Sequence, residues 1–192
     1  MKNAIILHGY PEKDEYYADW YKGPGNDHWF PWLQAQLLKK DIYAEVPVMP
    51  RAYEPDYETW KRAIERCDRI DQETSIIGHS CGGGFWLRYL SENKHLRVGK
   101  VVLVAPWLDP QDELGNDFFK GFKLDPDLAS RTKGLTIFAS DDDDATVTQS
   151  IDTIKAQMNN LKVVDFHGYG HFCYEWNMKS EEFPELLKEI LL

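Results

Sequence analysis

The stretch Gly78-His79-Ser80-Cys81-Gly82-Gly83 is the one on which the fold turns. It matches the pattern G-x-S-x-G, follows an aliphatic run at 75–78 and precedes a helical pattern reaching about Asn93. A serine in a tight strand-to-helix turn is pushed out above the sheet edge on a strained backbone. Glycines two before and two after it remove the side chains that would crowd that turn. The helix that starts there aims its first amides at the serine oxygen, which favours developing negative charge. A glycine-rich turn used only for close packing is the alternative. A phosphate cradle fits less well, because the lysine of a P-loop is missing.

Working outward, six short β-branched or aliphatic runs occur at 4–7, 42–48, 75–78, 101–105, 135–139 and 163–166. Their near-continuous apolar character is that of strands buried on both faces, as in parallel sheets. Helical spacing lies between them. Behind Asp56, a candidate N-cap, Trp60, Ile64, Cys67 and Ile70 share one face. Ile151, Ile154 and Met158 do the same in a later helix, and Phe183, Leu186, Leu187, Ile190 and Leu191 in the last, with Ser180 as its expected cap. This alternation predicts a three-layer α/β/α fold around a mostly parallel six-stranded sheet, formed by residues 1–192 as a single domain. Two stretches break the pattern, 10–31 and 106–133. Both follow strand C-terminal ends, where open α/β sheets place ligands.

A serine hydroxyl needs a base. Of six histidines, His171 sits in Gly168-Tyr169-Gly170-His171-Phe172, a glycine-flanked loop after the last strand and at the same sheet edge as Ser80. His167 lies at the strand end and reads as a structural neighbour. His8 and His79 read as loop supports, and His28 and His95 as surface residues. The acid that would orient the imidazole has candidates in the run Asp141, Asp142, Asp143 and Asp144, where the fifth strand ends. A solvated turn with Asp144 as N-cap competes with that role. A calcium loop would need alternating ligands and a glycine that this run lacks. For the oxyanion, one donor is expected from the amide of Cys81 and another from Gly9 or Tyr10 in the loop after the first strand.

Composition narrows the rest. The 22 basic and 32 acidic residues leave a formal charge of −10, which disfavours nucleic acid and anionic membranes as partners. No apolar run approaches the roughly 20 residues of a membrane helix. The apolar start at 4–7 is too short for a signal peptide, so the expected location is cytoplasmic. Three cysteines (Cys67, Cys81 and Cys173) read as free thiols, two of them close in sequence to Ser80 and His171.

His8-Gly9, Trp29-Phe30-Pro31-Trp32-Leu33, Pro47, Pro50, Trp60, Gly78-His79-Ser80-Cys81-Gly82-Gly83 and Gly170-His171-Phe172 fall in one order. Together they resemble the small α/β-hydrolase-fold serine hydrolases related to retinoblastoma-binding protein nine and the bacterial YdeN-like esterases, over essentially the whole chain. The resemblance implies an α/β-hydrolase fold with minimal cap and a Ser-Asp-His triad, in the chain order this fold uses. It further implies an acyl-enzyme mechanism on a small ester, activated amide or thioester, without cofactor or metal. Counting from Ser140 as family members do selects Asp143, whereas counting back from Val147 selects Asp144. The Leu-x-Cys-x-Glu motif of retinoblastoma binding is absent, since Phe172-Cys173-Tyr174-Glu175 follows His171 without the leucine, and that partner is not expected. Two alternatives remain: an acyltransferase, and a non-catalytic interaction module retaining the fold.

Overall fold

The computed structural model describes residues 2–67, 69–174 and 177–192. Its elements run β1 (Asn3–Leu7), α1 (Lys13–Tyr16), α2 (Phe30–Leu38), β2 (Tyr43–Glu45), α3 (Tyr57–Ile64), β3 (Thr74–His79), α4 (Cys81–Glu92), β4 (Val101–Val104), β5 (Leu135–Ser140), α5 (Ala145–Gln157), β6 (Lys162–Phe166) and α6 (Pro184–Leu191), with a 3-10 turn at Leu128–Arg131. The six strands form one sheet of order β2-β1-β3-β4-β5-β6, and every pair is parallel. Each expected strand is present, in the expected α/β setting.

The chain leaves β1 toward one edge and then crosses back to β3, so the strand order reverses between β1 and β3. By the right-handed rule for parallel crossovers, this strand order puts α2 on one face and α3, α4 and α5 on the other. α6 returns to the face of α2. The crevice at such a reversal is where open α/β sheets bind ligands. Register brings the critical residues there: Leu7 pairs with Gly78, so the segments that follow, His8-Gly9 and His79-Ser80, emerge side by side.

The central strands are sealed on both sides. Ile5, Ile6, Leu7, Ile76, Ile77, Val102, Leu103 and Val104 are fully buried. At roughly 1.5–3 kcal/mol for each large apolar side chain, this burial dominates the stability of the sheet. Trp29, Trp60 and Trp86 add three fully buried indoles from the helical layers. Gly82 lets α4 close on β1, because a Cβ there would lie 2.3 Å from the His8 carbonyl oxygen.

Three local expectations change. The run at 42–48 shortens to Tyr43–Glu45: it is an edge strand with one neighbour, and Pro47 has no N–H for a ladder. α3 stops at Ile64, capped at its start by Asp56, whose carboxylate accepts from the Thr59 amide at 2.8 Å. Cys67 and Ile70 still pack against the core, but from beyond the helix; Asp68, between them, lies outside the described residues. Ser180 does not cap α6. Its hydroxyl accepts from the Glu182 amide in a local turn, and the helix begins at Pro184, whose fixed φ suits a first helical position. The connection 8–29 and the first part of 105–134 follow the C-terminal ends of β1 and β4, while the 3-10 turn that ends the second lies at the opposite end of the sheet, where Val98 donates to the Arg131 carbonyl and Lys133 to that of Gly99.

Candidate active site

Ser80 occupies the turn between β3 and α4 with φ 53° and ψ −123°, a backbone conformation that is strained for a side-chain-bearing residue. Its amide donates to the Val104 carbonyl at 2.9 Å, and its carbonyl accepts from Gly84 and Trp107, each at 3.1 Å. These bonds over-determine the turn and hold the strain. Gly9 faces Ser80 so closely that a Cβ there would lie 3.1 Å from the serine Cβ. The backbone of the β1 loop therefore stands beside the hydroxyl, as does the start of α4 at Cys81.

His171 and Ser80 line the same cavity, of about 350 Å³. The His171 ring donates through Nδ1 to Oδ1 of Asp143 at 2.9 Å. That carboxylate is almost wholly enclosed, its side chain 1% exposed, and it also accepts from the Asp144 amide at 2.7 Å. Asp144 turns away to cap α5, accepting from the Thr146 amide at 2.7 Å and the Thr146 hydroxyl at 2.9 Å, bonds that hold its carboxyl below the usual range.

The whole acidic run is interleaved with the loop that carries His171. Asp141 accepts from the exposed ring of His167 at 2.7 Å and from the Gly168 amide at 3.1 Å. The Ser140 hydroxyl accepts from the Tyr169 amide at 3.1 Å. Asp142 takes the Gly170 amide and the Asn177 side chain, both at 2.8 Å. Register explains the match: Ser140 pairs with Phe166 at the ends of β5 and β6, so the two loops leave the sheet as neighbours.

His8 and His79 are both buried supports. The Met49 amide donates to Nε2 of His8 at 3.0 Å, so the ring carries its proton on Nδ1, next to the Gly9 carbonyl. Burial lowers its pKa to about 4, which keeps it neutral. His28 is not simply a surface residue: it is half-buried and lines the cavity, whereas His95 is exposed. Cys81 is fully buried and Cys173 nearly so, and burial raises both thiols well above their ordinary value, which opposes thiolate chemistry.

Sequence reasoning missed two features. Trp29 donates from its indole to the Phe172 carbonyl at 3.1 Å, bracing the loop of His171 from α2. The cavity wall also carries carboxylates, Glu12, Glu15, Asp27, Glu113 and Asp144, beside Tyr10, Tyr21 and Trp107, and among the described residues it includes no lysine or arginine. Of the aromatic residues in the irregular stretches, Trp29 and Phe118 belong to the core, while Tyr17 and Trp20 are exposed.

A family model described as serine hydrolase matches residues 17–188. YdeN of Bacillus subtilis (strain 168) is 27% identical over 184 residues, which is 93% of this chain and 90% of that protein. Its crystal structure aligns with a TM-score of 0.77 at 23% identity, over 98% of this chain and 96% of the other. Est1E from Butyrivibrio proteoclasticus aligns with a TM-score of 0.63 at 18% identity, over 99% and 86%. XC6422 from Xanthomonas campestris, described as an α/β serine hydrolase without lid, gives 0.58 at 16%, over 98% and 78%. The likeness to these structures is one of fold. Among the described residues no helix is long and apolar enough to cross a membrane.

Proposed function

The chain belongs to the serine hydrolase family, and from that premise we propose that it cleaves a small ester through an acyl-enzyme formed on Ser80. In this reading residues 1–192 act as one catalytic domain. His171 takes the Ser80 proton, the oxygen attacks the ester carbonyl, and the same imidazole protonates the leaving alcohol. Asp143 fixes the ring with Nδ1 protonated, which leaves Nε2 as the base, and stabilises the imidazolium that forms. The tetrahedral oxyanion is held by the amide of Cys81 and that of Gly9 or Tyr10, each worth roughly 3–4 kcal/mol in the transition state. Water activated by His171 then releases the acyl group.

The observation that carries this reading is the enclosed Asp143–His171 hydrogen bond of 2.9 Å beside a cavity shared with a serine in a strained strand-to-helix turn. The ester class is supported by a fold neighbour as well, since Est1E has been solved with ferulic acid bound, a carboxylic acid of the kind ester cleavage releases. The test is labelling with a fluorophosphonate together with turnover of p-nitrophenyl acetate and butyrate. Wild type is expected to label and turn over, and Ser80→Ala to do neither. A folded wild-type protein inert in both assays would refute the proposal.

A further inference from the structure

His79 stands at the end of β3, next to Ser80 in the chain, and is 4% exposed. Its ring packs among aromatic neighbours, 4.9 Å from the ring of His171, 5.9 Å from Trp29, 6.0 Å from Phe30 and 6.2 Å from His28. Its Nε2 lies 2.8 Å from the backbone carbonyl oxygen of His171. A carbonyl oxygen can only accept, so Nε2 carries the proton. Burial, then the proximity of His171 and His28, keeps the ring neutral by pushing its pKa well below the ordinary histidine value.

Ser80 and His171 sit on different loops, and their relative position sets the rate of proton transfer. Asp143 holds the His171 ring from its Nδ1 side, and the acidic run holds the amides before it. The carbonyl of His171 itself is held from the other side of the cleft, by the residue that precedes the serine. We infer that His79 is a positioning residue: its Nε2–H bond to the His171 carbonyl ties the base loop to the nucleophile turn and sets the base at working distance from the serine. Neutrality is part of this role, because a cation 4.9 Å away would oppose protonation of His171 during the reaction.

The inference rests on the proposed Ser80–His171 chemistry, and its test separates the two. With p-nitrophenyl butyrate, His79→Phe and His79→Met, which keep bulk but lose the donor, are expected to lower kcat about 10- to 100-fold with KM little changed. His79→Gln, whose amide nitrogen can occupy the place of Nε2, is expected to restore kcat to within about threefold of wild type. Melting curves verify folding. Full kcat in a folded donor-less variant, or a glutamine variant as impaired as phenylalanine, overturns the inference. Long-range ¹H–¹⁵N spectra of the wild-type imidazoles supply a readout independent of activity. They are expected to show His79 as a neutral Nε2–H tautomer with a slowly exchanging proton. An Nδ1–H tautomer or a freely exchanging proton overturns the positioning role even in an active enzyme. A wild type that neither labels nor hydrolyses esters overturns the proposed function instead, and the spectra still decide whether His79 holds the loop.

Discussion

Adjacent carboxylates repel unless each finds its own donors, and at 141–144 each does. Asp141 meets His167 and Gly168, Asp142 meets Gly170 and Asn177, Asp143 meets His171, and Asp144 caps α5. Sequence spacing alone left Asp143 and Asp144 open as the acid, because counting from Ser140 and from Val147 gives answers one residue apart. What separates them is the direction in which each side chain leaves a tight turn, and no linear pattern records that. The expected consequence is a division of effects. Asp143→Asn should lower kcat by roughly 10⁴-fold while leaving the fold intact, as loss of the orienting acid disturbs the tautomer. Asp144→Ala should instead cost about 1 kcal/mol of stability through the lost cap, with kcat nearly unchanged. Steady-state kinetics and urea denaturation of both variants check this, and the reverse pattern would move the acid to Asp144.

Elements buried on both faces were the most legible part of the chain. The central strands are largely apolar because both faces of the sheet are covered there, and their pairing follows the expected crossover rule. Helix ends were less so: the apolar stripe past Ile64 continues to bury residues after the helix has stopped, since packing selects apolar side chains whatever the backbone does. A buried charge was also beyond reach. Glu189, on the inward face of α6, accepts from Thr136 and Lys162 at 2.7 Å each and pairs with Lys100 at 3.2 Å, pinning the helix to the N-terminal ends of the strands. Burial alone would raise its pKa, but the bonds from Lys162, Thr136 and Lys100 outweigh it and hold the carboxyl below its ordinary 4.5. A depressed carboxylate contributes stability that is present above the unfolded value and is lost as pH falls through the folded one. Glu189→Gln is therefore expected to destabilise the protein by about 2 kcal/mol near neutral pH. The gap to wild type should narrow in urea titrations as pH falls below the ordinary 4.5 and through the lower folded value. A gap that persists at low pH would assign the effect to packing.

At the scale of the whole molecule, the reversal of strand order between β1 and β3 explains why residues far apart in the chain meet, and the long stretches after β1 and β4 wall the cavity they share. Those stretches were recognisable as functional by length and position, but not which of their side chains face the cavity, because irregular backbone has no period to read. The acidity of the chain has its local counterpart in the carboxylates Glu12, Glu15, Asp27, Glu113 and Asp144 on that wall. A field of this sign repels anionic substrates and is screened by salt. The kcat/KM for p-nitrophenyl hemisuccinate should thus fall at least about tenfold below that for p-nitrophenyl butyrate at low ionic strength, with the difference shrinking as salt is added. Equal rates, or a preference for the anion, would contradict the charge argument. In the proposed reaction a single serine, Ser80, carries the acyl group. The most direct test of this is acid quenching during turnover of p-nitrophenyl butyrate, followed by peptide mass spectrometry. One butyryl group on the peptide holding Ser80, absent in Ser80→Ala, is the predicted result; turnover with that peptide unmodified, or with the acyl group on another residue, would contradict it.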